Sequence, residues 1–271
     1  MISVVIPSYR SPKYLDLCLH SLLTEQVNQN EIIVIIDGFV DESKWVIEKY
    51  KDRVGFLEFP ENRGMQAGLN FGVYNSSNEK ILIVNDDNVF PHKWDEVLET
   101  YNVDKTVITP NQIEPDGPGM FYFPVRDFGR TEDSFRYDEF IDWEQSIRSD
   151  RDTPDGEIFP FLISKKNYMM VGGFDTIYNS PFICDWDFFL KLEMMNTEFK
   201  RSHRLHFYHF GSKATKNRDT AKQDEDMFRS GESEAYRMFE YKWGFRPQNG
   251  LNNSKLPNGL VKGINYNKGN N

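Results

Sequence analysis

Asp86 and Asp87 stand side by side at the end of an apolar run, Ile81-Leu82-Ile83-Val84-Asn85, with Asn88 behind them. Neighbouring carboxylates repel each other, so a site that keeps both ionised favours a bound cation or several donor groups from a ligand. The plainer reading is a strand-ending turn, because Asp and Asn favour turns. Further residues with chemical potential are Asp37 before Gly38, Arg63 before Gly64, Asp175 after Gly172-Gly173-Phe174, Asp185 and Asp187 around Trp186, and His209 before Phe210-Gly211-Ser212.

The elements between these residues read as alternating strands and helices. Ile2-Ser3-Val4-Val5-Ile6 is a strand, and Ser11-Pro12 supplies an N-cap and a proline at the first helical position. Leu15, Leu19, Leu22 and Leu23 give that helix one apolar face. Strands are expected at Ile32 to Ile36, Val54 to Phe59 and Ile81 to Val84, with helices from about Glu42 to Tyr50 and from Gly64 to Tyr74. Such alternation implies an α/β fold with parallel strands and right-handed crossovers. A non-alternating apolar run reads as a strand buried on both faces, and in open α/β sheets ligands lie beyond the carboxyl ends of such strands. The acid pair falls there.

After Thr109 the pattern loosens, and Pro110 to Glu157 reads as a long irregular segment. Regularity returns at Phe159 to Ser164, in a helix from about Asp185 to Glu193, and in another from Asp224 to Lys242. A basic stretch runs from Lys200 to Lys222, and beyond Gly250 the chain is rich in Asn and Gly, which reads as a flexible tail. The expected organisation is one domain over 1–250, in two halves (1–109 and 110–250), and a tail at 251–271.

Composition narrows the classes. The 271 residues suffice for a sizeable core. A first strand at Ile2 leaves no room for a secretory signal, and no apolar stretch approaches the roughly 20 residues of a membrane span, so the expectation is a cytoplasmic protein with no integral membrane association. Cys18 and Cys184 lack metal-cluster spacing and read as free thiols. The formal charge of -10 argues against a general nucleic-acid coating surface. An aromatic fraction of 15% suits both core packing and stacking on rings, and core packing is the better expectation for any one of Trp143, Trp186, Phe121 and Tyr122.

Taken in order, Val4-Val5-Ile6-Pro7-Ser8-Tyr9, Ile36-Asp37-Gly38, Asn62-Arg63-Gly64 with Asn70, Asn85-Asp86-Asp87, Gly172-Gly173-Phe174-Asp175, Asp185-Trp186-Asp187, His209-Phe210-Gly211-Ser212 and Lys242-Trp243-Gly244 resemble the family 2 glycosyltransferases. The resemblance implies a GT-A fold, Rossmann-like with a mostly parallel sheet flanked by helices, with 1–109 as the nucleotide-binding half and 110–250 as the acceptor-binding half. It implies inverting transfer from a nucleotide-diphosphate sugar, with a UDP- or dTDP-sugar favoured by family habit. By it, Pro7, Ser8, Tyr9 and Arg10 hold the nucleoside, Asp37 accepts from the base, and Arg63 contacts base or phosphate. Asp86 binds the ribose hydroxyls, while Asp87 ligates Mn2+ or Mg2+ with a late contact from His209. Asp185 is the general base, Gly173 permits close approach of a sugar, Asp175 binds sugar hydroxyls, and Lys213 with Lys216, Arg218 and Lys222 closes over the diphosphate.

Three positions depart from the pattern: Ile36, Asn85 and Cys184 stand where the family usually has acids. The acceptor hydroxyl could belong to a glycan, a lipid-linked carrier, a protein or a modified nucleobase. A metal-dependent nucleotidyltransferase is the rival enzyme class, and a non-catalytic sugar- or nucleotide-binding module is the rival of a different kind.

Overall fold

In the computed structural model the described residues are 1–116, 123–178, 181–211 and 223–245, with the side chains of 223–232 left aside. The chain alternates as the apolar pattern implies: β1 (Ile2–Ser8), α1 (Pro12–Glu25), β2 (Glu31–Asp37), α2 (Val40–Tyr50), β3 (Gly55–Phe59), α3 (Met65–Asn75) and β4 (Lys80–Ile83). There follow β5 (Asn88–Val89), α4 (Trp94–Glu99), β6 (Thr106–Ile113), α5 (Tyr137–Ile147), β7 (Asp152–Thr153), β8 (Phe161–Ser164), α6 (Lys165–Met170), α7 (Cys184–Met194), β9 (Glu198–His209) and α8 (Gln223–Trp243).

All nine strands join one sheet in the order β3-β2-β1-β4-β8-β6-β9-β5, with β7 on β9. Strands β1, β2, β3 and β4 pair in parallel, and β6 pairs parallel to β9. Strand β8 lies antiparallel to both β4 and β6, so those two halves point the same way. The carboxyl ends of β1, β2, β4, β6 and β9 therefore share one edge of the sheet.

Both faces are covered. Leu15, Leu19 and Leu22 of α1 pack with Val4, Ile6, Val34 and Leu82 on one face. On the other, Leu69 and Val73 of α3 and Phe188, Phe189 and Leu192 of α7 pack with Val5, Ile35, Ile83 and Phe161. Burying a large aliphatic or aromatic side chain contributes about 1.5–3 kcal/mol, and these strands present apolar residues to both layers.

Two sequence expectations need correction. Pro110 to Glu157 is not uniformly irregular: β6 runs through Pro110 to Ile113, and α5 lies at Tyr137–Ile147. Acids crowd α5 and blur its helical period, yet Phe140 packs on Phe128 and Tyr208, and buried Glu144 accepts from the His206 N–H at 2.8 Å. The start of the Lys200 to Lys222 stretch is part of β9, where Arg201 is buried and paired with Asp155.

Asn70 of α3 ties the two halves together. Its Oδ1 accepts from the Tyr168 hydroxyl at 2.7 Å and from the Phe174 N–H at 2.9 Å, and its Nδ2 donates to the Phe174 carbonyl at 2.8 Å. Gly173 lies at φ 66°, and a Cβ there would meet Asn70 Oδ1 at 2.3 Å. The close approach that this glycine permits is thus to α3 of the protein itself. Gly173→Ala combines backbone strain with a clash against the half-buried Asn70 hydrogen-bond hub, and denaturant unfolding is expected to register a loss of about 2–4 kcal/mol.

Candidate active site

The acid pair occupies the turn after β4. The ladder ends as the Val84 N–H donates to the Val5 carbonyl at 3.2 Å, and Asn88 Oδ1 accepts from the Asn85 N–H at 3.2 Å to close the turn. Both acids are buried, Asp86 at 4% and Asp87 at 3% exposure. Burial, together with the Asp87 charge, pushes Asp86 up to about 7 despite the hydroxyls of Ser11 and Ser8. The Ser11 hydroxyl donates to the Asp86 carboxylate. The expected side-chain N-cap of α1 is absent, because that hydroxyl is turned to the acid instead.

His209, at the end of β9, faces Asp87 across the sheet edge. Its Nε2 lies 3.4 Å from Asp87 Oδ1, and its Nδ1 lies 2.8 Å from Glu114 Oε1. Nε2 is buried and has no aligned hydrogen bond. Burial opposes protonation of His209, but Asp87 and Glu114 outweigh it and push the imidazole up to about 10. Glu114 follows directly on β6, and the adjacent ends of β6 and β9 bring the pair together.

The donor set fits a hard divalent cation of the magnesium or manganese kind. A carboxylate and an orphaned imidazole nitrogen converge, and Glu114 on the second nitrogen fixes which one is presented. Among the described residues no group of three or more His, Cys, Asp or Glu is arranged to hold a metal.

A second cluster sits beyond β1 and β2. Asp37 accepts from the N–H groups of Arg63 at 2.6 Å and Gly64 at 2.9 Å, which clasps the loop before α3. Burial raises its pKa against those two hydrogen bonds. Gly38 at φ 80° makes the clasp possible, since a Cβ there would meet Asn62 N at 2.8 Å. Tyr9 meets Phe39 edge-to-face at a ring separation of 5.7 Å, and the Arg10 guanidinium lies 4.4 Å from the Phe39 centroid. Arg10 and Phe39 both hold left-handed backbone, at φ 53° and 52°. Such strain clusters where a side chain must be aimed. Pro7 lies within β1 opposite Ile35, and Ile36 is buried in the core. Arg63 is exposed and pairs with Glu61 at 2.9 Å.

Asp185 lies in the first turn of α7, half-buried, with Oδ1 accepting from the Trp186 N–H at 2.9 Å. Burial pushes it up to about 6, and two backbone N–H groups restrain the rise. Phe188 and Phe189 of α7 pack against Phe161, at ring separations of 5.7 and 5.1 Å, and Phe161 pairs with Ile83 at the end of β4 that leads into the acid turn. The helix N-cap is Ile183, not Asp185. Asp175 is held by Lys242 at 2.7 Å and by the Ile177 N–H at 3.0 Å. Trp143 packs against Phe128, and Trp186 meets Tyr236 edge-to-face. Lys213, Lys216, Arg218, Lys222, Phe121, Tyr122 and the 251–271 tail lie outside the described residues.

Sequence reasoning missed Glu114, Phe39 and Tyr14. Tyr14 lies on α1 against Phe210 at 5.2 Å, and burial followed by the nearby Glu132 and Asp87 charges raises its pKa. None of the three has a spacing signal of its own. Only the positions of Phe39 and Glu114, just past the carboxyl ends of β2 and β6, could have suggested them.

The model described as Glycosyl transferase family 2 matches residues 3–174 of this sequence. The chain belongs to glycosyl transferase family 2. Family relatives include the glycosyltransferase GlyG of Streptococcus pneumoniae serotype 4, 30% identical over 136 residues, which are 47% of this chain and 45% of GlyG. GlyA of the same organism is 30% identical over 131 residues, 46% of this chain and 18% of GlyA. An uncharacterized glycosyltransferase of Haemophilus influenzae is 26% identical over 219 residues, 79% of this chain and 69% of its own length. The chain thus spans less than half of either pneumococcal relative. Among solved structures, S. aureus TarS (1-349) superposes with a TM-score of 0.56 at 16% identity, covering 90% of this chain and 74% of that one. The mannosyltransferase PcManGT of Pyrobaculum calidifontis, in complex with GDP-Man and Mn2+, gives 0.59 at 14% identity, covering 91% and 65%. The family fold is GT-A. No helix among the described residues is long and apolar enough to cross a membrane.

The His209 imidazolium between Asp87 and Glu114 stabilises the metal-free fold. In chelator, His209→Ala leaves two nearby acids without their cation and is expected to cost about 2–4 kcal/mol by denaturant unfolding. Because the folded pKa is raised to about 10 from 6.5, the loss is full below pH 6.5 and shrinks as pH rises through about 10.

Proposed function

We propose that the protein is an inverting, metal-dependent glycosyltransferase that moves a sugar from a nucleotide-diphosphate sugar to an acceptor hydroxyl. The observation that carries this reading is the convergence of buried Asp87 and His209 Nε2, 3.4 Å apart, at the carboxyl ends of β4 and β9, and Asp185 in the first turn of α7 supplies the base in this reading. TarS has been solved with UDP and with UDP-GlcNAc, and PcManGT with GDP-Man and Mn2+. A UDP- or dTDP-sugar donor is the form we favour, and the reading includes a cytoplasmic location.

Each residue has a role in that reaction. Tyr9, Arg10 and Phe39 offer an aromatic and cationic surface for the base, beside Pro7, Ser8, Asp37 and Arg63. Asp86, with a pKa near neutrality, accepts from the ribose hydroxyls. Asp87 and His209 would hold Mn2+ or Mg2+, which when bound supplies charge neutralisation for the departing diphosphate. Asp185 takes the acceptor proton as the hydroxyl attacks the anomeric carbon from the side opposite the diphosphate. The absent acid at position 184 leaves Asp185 beside the buried thiol of Cys184, so burial alone dominates its upward shift. Asn85 removes one charge from the acid turn while Asp87 remains for the cation.

Two measurements test the reading. Wild type should be thermally stabilised by one nucleoside diphosphate in a manganese-dependent way, and Asp87→Ala should lose that shift. Asp185→Asn should keep nucleotide binding while turnover falls by about 10²–10⁴. Because the base must be ionised, wild-type turnover should decline as pH falls through about 6. Unchanged turnover in Asp185→Asn would contradict the assignment.

A further inference from the structure

Asp187 lies two residues beyond Asp185, is fully buried, and anchors a constellation that the transfer chemistry does not use. Its Oδ1 accepts from the Tyr178 hydroxyl at 3.1 Å and from Trp243 Nε1 at 2.8 Å, and it pairs with Lys242 Nζ at 2.7 Å. Lys191 Nζ is 3.6 Å from Oδ2 and also donates to the Gly173 carbonyl. Lys242 reaches on to Asp175 Oδ2 at 2.7 Å. The loop after Gly173, the first turn of α7 and the end of α8, the last more than 50 residues away in sequence, therefore meet on one carboxylate.

The start of α7 needs such support. Its N-cap, Ile183, is a β-branched residue at φ 69° and offers no capping side chain. A left-handed β-branched residue is strained, and a helix start without a cap lacks about 1 kcal/mol of ordinary stabilisation. The first helical hydrogen bond of the turn runs from the Asp187 N–H to the Ile183 carbonyl at 3.0 Å, so the residue that closes the turn is also the clasped one. Asp185 and Trp186 ride between those two ends. On the outer side Trp186 meets Tyr236 of α8 edge-to-face at 5.8 Å.

We propose that Asp187, held by Lys242 and Trp243 of α8 and by Tyr178, is a positioning residue that fixes the first turn of α7 and thereby aims the Asp185 carboxylate at the acceptor hydroxyl. The inference rests on the reading of Asp185 as the base. It gives the Lys242-Trp243 ending a task in catalysis although neither side chain touches the reacting atoms. The two carboxylates that Lys242 bridges come from the loop and from α7, so removing its charge loosens both.

The test compares wild type, Lys242→Met, Lys242→Arg, Trp243→Phe and Asp185→Asn. Three quantities are read: amide hydrogen exchange across 183–188, the affinity for the stabilising nucleoside diphosphate, and turnover as release of that diphosphate from its sugar donor. Lys242→Met should speed exchange at the α7 start by about tenfold or more. Turnover should fall by about 10- to 100-fold, with nucleotide affinity within about twofold of wild type. Lys242→Arg should recover most of both losses, which general destabilisation of the fold would not predict. Trp243→Phe keeps the ring and removes only the Nε1 donor, so it carries the test if Lys242→Met does not fold, and it should show the same split more weakly. Wild-type exchange and turnover in both Lys242→Met and Trp243→Phe would overturn the proposal, as would faster exchange with undiminished turnover. Failure of the underlying reading looks different: Asp185→Asn would then turn over like wild type, whatever the exchange rates show.

Discussion

Burying several carboxylates at one sheet edge is the constraint on which the architecture turns. Asp86 and Asp87 follow β4 and Glu114 follows β6, and the cation paired with Asp87 and Glu114 is His209 from β9. Each buried charge costs several kcal/mol unless it is paired or hydrogen-bonded, so the apolar layers on both faces must supply what the edge loses. The sheet order makes the convergence possible. Strand β8, running backwards between β4 and β6, keeps β6 and β9 parallel to the first half, and the histidine and the acid pair meet as a result. A cation brought by a nucleotide ligand would replace a proton on His209 and relieve the same charge excess. The resting state and the proposed working state thus solve one electrostatic problem in two ways.

Helix α7 carries the second half of the proposed machinery and is held differently. The acid turn is fixed by backbone ladders and a short side-chain network, with Ser11 on Asp86 and Asn88 on the Asn85 amide. The first turn of α7 lacks a cap and depends on contacts made from the end of the chain's last described helix. Asn70 plays the corresponding part on α3, linking that helix to Phe174 in the loop after Gly173. Polar side chains with several partners each thereby join layers that apolar packing alone would leave free to slide.

Much of the fold was legible in the sequence because β1, β2 and β4 are apolar without interruption and α1 has a clean apolar face. The same signal failed for β6, which contains Pro110, Asn111 and Gln112, and for β9, in which Lys200, Arg201, Arg204 and three histidines mask a strand buried along most of its length. In both, tertiary burial and ion pairs such as Arg201 with Asp155 override local pattern. The acid pair and His209 were legible from motif order. Glu114 and Phe39 were not, since their parts arise from the pairing of strand ends and from a left-handed backbone that no local spacing encodes. Ser11 was read as a helix cap, but its hydroxyl serves Asp86, a partner 75 residues away in sequence.

The central claim is that Asp87 and His209 form a divalent-cation site completed by a nucleotide diphosphate. Anomalous diffraction at the manganese edge, from crystals soaked with Mn2+ and the stabilising nucleoside diphosphate, tests it most directly. The account predicts one strong peak at about 2.1 Å from an Asp87 carboxylate oxygen and from His209 Nε2, with diphosphate oxygens on its open side and Glu114 still on Nδ1. A bound nucleotide with His209 still paired only to Asp87 and Glu114, or a manganese peak away from both residues, would contradict it.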